Sequence, residues 1–128
     1  MLTVVIGILI NDQKQVLVEQ RSPHLPYAGY WAFPGGKVEL NENIADALNR
    51  EMLEEIGIIV KSAEPFHILQ FQYPDKIVEL HTWRIHDYSG TPSGCENQLI
   101  RWVAKNELMN LQFLPPNKKI VEMVMELM

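Results

Sequence analysis

Residues 36–58, GKVELNENIADALNREMLEEIGI, constrain this chain more than any other stretch. At the helical repeat, Ile44, Ala45, Leu48, Met52 and Ile56 fall on one face. Asn43 can cap such a helix, with Asp46 three residues on as its capping-box partner, and Gly57 is placed to end it. Ala47, Glu51, Glu54 and Glu55 occupy an adjoining arc, so one stripe is built to pack and its neighbour is acidic. Glu51, Glu54 and Glu55 stand at i, i+3 and i+4 and converge on one side, with Glu42 just before the helix. Like charges gathered this closely repel unless cations sit among them. Oxygen ligands of this kind suit Mg²⁺ or Mn²⁺, which keep several waters and take the rest of their coordination from substrate phosphates. The carbonyl of Gly35 can complete the shell. The chemistry such a site supports is water attack on a phosphoanhydride, with a carboxylate taking the proton. Taken alone, however, an E-x-x-E-E group is more often a solvated helix face, because Glu is a good helix former.

Around this segment the pattern predicts an α/β or α+β domain in which a mixed sheet lies between helices. Residues 3–10 and 16–20 are rich in Val, Ile and Leu, and Asn11-Asp12-Gln13-Lys14 between them reads as the loop of a hairpin of two paired strands. Residues 22–30 carry two prolines and a glycine and are expected to be irregular and exposed. Trp31-Ala32-Phe33 is a short buried piece that delivers the chain into Pro34-Gly35-Gly36. Ile58 to Val60 starts another strand, and residues 66–73 and 76–85 flank Pro74-Asp75 as a second hairpin. Residues 86–96 read as a loop, 99–103 as a short strand, 105–110 as a turn of helix and Leu114-Pro115-Pro116 as a stiff loop. Ile120, Val121, Val124, Leu127 and Met128 recur at helical spacing and predict a final amphipathic helix docked on the sheet. Trp31, Trp83 and Trp102 belong to the core or a pocket wall, and the isolated His24, His67, His81 and His86 have no partner at metal-ligand spacing.

Length and charge narrow the class. At 128 residues the chain is expected to be one domain, residues 1–128. Its net charge of −5 argues against stable nucleic-acid binding through a basic face, but not against a phosphate-bearing small molecule, since bound cations invert the local field. Cys95 is the single cysteine and cannot form an internal disulfide, which fits a reducing compartment. The apolar start lacks a basic leader, and no apolar run reaches membrane-spanning length, so a cytoplasmic protein free of the membrane is expected.

The segment then matches a known pattern. Gly36, five residues, Glu42, seven residues, and Arg50-Glu51-Met52-Leu53-Glu54-Glu55-Ile56-Gly57-Ile58 resemble a complete Nudix box, G-x5-E-x7-R-E-U-x-E-E-x-G-U with U aliphatic. By residue usage alone, a chance match anywhere in the chain is on the order of 10⁻⁶. The length, the strand order, the run Phe33-Pro34-Gly35-Gly36-Lys37 and the tail are similar to the MutT-like subgroup of bacterial nucleoside triphosphate pyrophosphohydrolases. The resemblance implies a Nudix α/β/α sandwich. It also implies divalent cations and hydrolysis of a nucleoside triphosphate, in this subgroup 8-oxo-dGTP, to monophosphate and pyrophosphate. A monomer or weak homodimer is expected.

Carried over residue by residue, it assigns metal binding to the Gly35 carbonyl, Glu51, Glu54, Glu55 and Glu96. It makes Glu96 or Glu51 the base, has Glu42 support the shell, and has Arg50 orient the box carboxylates. Lys37 and Arg21 would contact phosphates, where a cation offsets charge on the leaving pyrophosphate. Leu114-Pro115-Pro116-Asn117 resembles a tail motif in which an asparagine amide reads a purine edge, with Pro116 standing where the family commonly has Ala. Asp75 lies in a hairpin loop within reach of a base. The competing readings are surface charge for Arg21 and Lys37, a solvated loop for Glu96, and a helix cap for Asn117. Other expectations within the same chemistry are a different nucleoside triphosphate, a pterin triphosphate or a nucleotide sugar as substrate. A non-catalytic nucleotide-sensing module lies outside it.

Overall fold

The computed structural model describes residues 1–128. Its elements are β1 (Leu2–Leu9), β2 (Gln15–Gln20), β3 (Trp31–Ala32), β4 (Gly35–Lys37), α1 (Ile44–Ile56), β5 (Ile59–Gln72), β6 (Ile77–Ser89), β7 (Ile100–Ala104), α2 (Lys105–Leu108), a 3₁₀ turn (Pro115–Asn117) and α3 (Lys118–Leu127). The strands form two sheets, a mixed one in the order β4-β1-β6-β5 and an antiparallel one in the order β3-β2-β7. No helix is long and apolar enough to cross a membrane.

The layering follows from strand parity. Along β1, Val5 and Leu9 point to one face and Ile6 and Ile8 to the other, and all four are buried. In β2, Leu17 opposes Val16 and Val18 in the same way. A strand apolar on both faces must be covered on both. Helix α1 covers one face with Ala47, Leu48, Met52 and Ile56. On the other face Ile120 and Val124 of α3 join Leu108, Phe33 and Phe113. The expected mixed sheet between helices is thus present, divided into two sheets.

That division corrects the first predicted hairpin. Residues 11–14 do form a tight turn, in which the Asn11 carboxamide oxygen accepts from the backbone N–H of Gln13 and of Gln15. Beyond it the two strands share only the Ile10–Val16 bridge. The reason is that each strand has two hydrogen-bonding edges: β4 and β6 take those of β1, while β3 and β7 take those of β2. The second hairpin forms around residues 73–76 as expected, but with longer arms. The piece at Ile58–Val60 is the start of β5 itself, and β6 continues past Ile85 to Ser89. The ladder shifts register between Val60 and Ser62, Ser62 and Ala63, and Pro65 and His67, the last beside Pro65, whose missing N–H is tolerated because β5 is an edge strand. Of Leu114-Pro115-Pro116, expected as a stiff loop, the two prolines instead open the 3₁₀ turn, because their fixed φ suits its first positions.

Helix α1 begins and ends where its sequence dictates. The Asn43 side chain accepts from the Asp46 N–H, and its Nδ2 donates to the Asp46 carboxylate. Gly57 adopts φ 72°, ψ 28° and donates its N–H back to Leu53. The buried stripe is rotated from the expected one: Ala45 is exposed and Ala47 is buried. The helix lies against β4 as well as β1, and this turns Ala47 and Glu51 inward. Trp31 is buried and Trp83 and Trp102 are half-buried, in keeping with core and wall positions.

A Cβ at position 57 would occupy the left-handed region and stand 3.1 Å from Cys95 Sγ. Gly57→Ala should therefore lower unfolding free energy by about 1–2 kcal/mol, and Gly57→Asn by less, because Asn tolerates this conformation. Urea unfolding of the two variants measures both; equal losses would mean that crowding rather than backbone strain dominates.

Candidate active site

The last turn of α1 is electrostatically unfavourable for a helix. Glu54 and Glu55 sit at the negative end of the helix dipole, and no basic residue occupies that turn. Arg50, one turn earlier, holds the acidic groups in place. Its Nε and Nη2 donate to the two Glu42 oxygens at 2.7 and 2.9 Å, Nη1 to Glu51 at 2.7 Å and Glu54 at 3.2 Å, and Nη2 also to the Lys37 carbonyl at 2.9 Å. The Glu42 contact is a bidentate fork, which adds geometric definition to charge. It holds the Glu42 carboxyl down at about 2, helped by the backbone N–H of Glu39.

Glu51 is packed over the glycine pair. A Cβ on Gly36 would fall 2.1 Å from Glu51 Oε2, so a side chain at 36 would displace the carboxylate. Glu51 is 9% exposed, and burial pushes its pKa up despite Arg50.

Beside these groups lies an open cavity of about 790 Å³. Of the residues singled out in the sequence, Arg21, Gly35, Lys37, Glu55, Asp75, Glu96 and Asn117 line it. Parts far apart in the chain thus meet in one space. Glu51 and Glu54 do not line the cavity; both are engaged by Arg50, and the Glu54 side chain is half exposed. Arg21 Nε donates to the Pro26 carbonyl at 3.2 Å.

Asn117 does not cap the final helix. Its backbone is helical and its side chain makes no capping bond. Instead its Oδ1 accepts from the Phe33 N–H at 3.0 Å, tying the tail to the strand-to-glycine segment, and the residue is 5% exposed. With the oxygen so engaged, the amide's two N–H donors are the groups left for a ligand in the cavity.

Two residues lining this cavity, Glu19 and Gln98, were missed in the sequence. Glu19, in β2, lines the cavity, and burial is the main cause that lifts its carboxyl to about 7, with Glu51 and Glu96 adding repulsion. Burial and then the charge of Glu19 raise Glu55 to about 8. The signal was parity: Glu19 is two residues beyond Leu17 and shares the strand face that packs on α1. A charged residue on a buried face needs a partner; here Gln98 Nε2 donates to it at 2.9 Å and Arg21 offsets part of its charge, while Glu51 and Glu96 repel it.

The donor set has the chemistry of a divalent-cation site: hard oxygens from Glu19, Glu51, Glu55 and Glu96, held near one another against their own repulsion. In the arrangement seen, no three of the acidic residues converge tightly enough to define an ion position.

With the geometry established, comparison with known proteins gives the class. A family model described as NUDIX domain matches residues 5–123, and the chain belongs to that family. It is 38% identical over 115 residues to an 8-oxo-dGTP diphosphatase of Haemophilus influenzae, covering 90% of this chain and 85% of the relative. It is 35% identical over 127 residues to a CTP pyrophosphohydrolase of Escherichia coli, covering 99% and 93%. A solved structure from work on MutT of Aliivibrio salmonicida and Vibrio cholerae superimposes with a TM-score of 0.85 at 31% identity, covering 99% of this chain and 98% of that one.

The raised carboxyls set a pH dependence in the metal-free protein. Glu19 and Glu55 have folded values above the unfolded one, so their contribution to stability is present below about 4.5 and is lost as pH rises through about 7 to 8. Glu42 has the opposite sign, and its contribution is lost as pH falls from about 4.5 toward about 2. With chelator present, Tm should peak near the lower crossover, about pH 5, and decline toward pH 8. Added Mg²⁺ should reverse the decline, and Glu55→Gln should flatten it. A Tm that is level from pH 5 to 8 in chelator would contradict the crowding of these groups.

Proposed function

We propose that this protein is a pyrophosphohydrolase that converts a nucleoside triphosphate to monophosphate and pyrophosphate, with 8-oxo-dGTP as its favoured substrate. The observation that carries the reading is the joining, in one cavity, of Gly35, Gly36 and the box carboxylate Glu55 with Glu96, Arg21, Lys37 and the Asn117 amide. The 8-oxo-dGTP diphosphatase relative supports the choice of substrate.

Glu51, Glu54, Glu55, Glu96 and the Gly35 carbonyl would hold Mg²⁺ or Mn²⁺. When bound, such an ion neutralises phosphate charge and lowers the pKa of water. The chain's own groups do the rest. Arg21 and Lys37 supply positive charge to the phosphates and stabilise the departing pyrophosphate. Arg50 remains a positioning residue, because its donors are committed to Glu42, Glu51, Glu54 and the Lys37 carbonyl. Of the two candidate bases Glu96 is the better placed, since it lines the cavity while Glu51 is ion-paired. The Asn117 amide donates to an acceptor on the base edge, and Asp75 faces the same space from the β5–β6 turn. The same reading takes the protein to act as a monomer or weak homodimer in the cytoplasm.

A second reading, a different nucleoside triphosphate such as CTP, is favoured by the CTP pyrophosphohydrolase relative. The complete set of box glutamates speaks against a module that only senses nucleotides.

The test is kcat/KM with Mg²⁺ across 8-oxo-dGTP, dGTP, CTP, other triphosphates and nucleotide sugars. The expected order places 8-oxo-dGTP first; CTP first would select the second reading, and no turnover of any would favour the sensing module. Asn117→Ala should narrow the ratio of 8-oxo-dGTP to dGTP rates about tenfold, the loss of one discriminating hydrogen bond. An unchanged ratio would remove Asn117 from base recognition.

A further inference from the structure

Gln98 lies outside the box, in the loop between β6 and β7, and its carboxamide makes three hydrogen bonds. Nε2 donates to Glu19 Oε2 and to the Glu55 carbonyl, both at 2.9 Å, while Oε1 accepts from the Glu96 N–H at 2.8 Å. The three partners belong to the end of β2, the last turn of α1 and the loop that carries Glu96. The amide can sit only one way round. Flipped, its oxygen would face a carboxylate and a carbonyl, and its NH₂ would face an N–H.

The surrounding backbone is shaped to deliver this side chain. Asn97 takes φ 62°, a left-handed turn that brings residue 98 back toward residue 96. The loop is docked on the end of α1 by Ser93 N–H to the Ile56 carbonyl and Cys95 N–H to the Glu55 carbonyl. The choice of residue also matters chemically. A lysine or arginine could satisfy the same acceptors but would cancel their charge. A neutral carboxamide holds the Glu19 carboxylate in place and leaves its charge available to a cation.

We propose that Gln98 is a positioning residue of the hydrolytic site: its single carboxamide registers Glu19 and Glu96 against the last turn of α1, so that carboxylates from three elements face the cavity as one oxygen-donor set. The proposal rests on the reading of this cavity as the hydrolytic site. It adds Glu19 to the groups that define that site and gives the Glu96 loop a defined position before any ligand arrives.

The experiment compares the full-length wild type, Gln98→Leu, Glu19→Gln and the double variant, on the triphosphate the wild type turns over fastest. It reads kcat, KM, the Mg²⁺ concentration for half-maximal rate, and hydrogen exchange at the Glu96 amide. In Gln98→Leu, kcat should fall and the required Mg²⁺ should rise, each by about 10- to 100-fold, as for groups that orient metal ligands. KM should stay within about twofold, since the carboxamide's oxygen and nitrogen are committed to Glu96, Glu19 and Glu55 and not to substrate. The Glu96 amide should exchange faster. The double variant should lose less than the product of the two single losses, because Gln98 acts in part through Glu19. If leucine prevents folding, Gln98→Asn keeps the amide but is one methylene too short and carries the same expectation. An active wild type whose Gln98 variants keep their kcat and Mg²⁺ dependence overturns the proposal. A wild type inactive on every triphosphate overturns the reading of the cavity instead.

Discussion

The arrangement of the site depends on the guanidinium of Arg50. It bridges the helix that bears it to the loop before that helix, through Glu42, and to the glycine strand, through the Lys37 carbonyl. Without such a cation, Glu42, Glu51 and Glu54 would be three anions with nothing to determine their separation. A half-buried pair of this kind gives little net stability, because desolvation offsets much of the Coulomb gain. Its value is geometric: a planar fork of donors fixes where each carboxylate stands.

The fold supplies the other half of the constraint. Strands β1 and β2 are buried on both faces, so α1 has no freedom to slide, and its Met52 and Ile56 are held in the core. The acidic arc is pinned one residue away from that stripe. The cost of raised carboxyl pKa values is therefore borne by a rigid scaffold and not relieved by movement. Asn117 performs a parallel task from the far end of the chain, bonding to the Phe33 N–H and locking the tail beside the glycine strand.

Much of this was legible in the residues. The caps of α1, its span, the first two apolar strands and the second hairpin all follow from local rules that tertiary contacts did not override. The failures share one physical origin. The predicted β1–β2 hairpin did not pair beyond its turn because edge partners arrived from β4, β6, β3 and β7, which no local pattern announces. The rotation of the α1 stripe from Ala45 to Ala47 came from contact with β4.

The sequence by itself determined the family of this protein: the residue types and spacings of the box and the helix that carries them. Those are short-range facts, set by a helical repeat and two glycines. Which carboxylates line the cavity, and which are held back by Arg50, was decided only by tertiary structure. So were the recruitment of Glu19 and Gln98 and the freeing of the Asn117 amide from a capping role. Each of these depends on residues dozens of positions apart being brought within hydrogen-bond distance, and that distance is a property of the packed sheets and helices rather than of any stretch of chain.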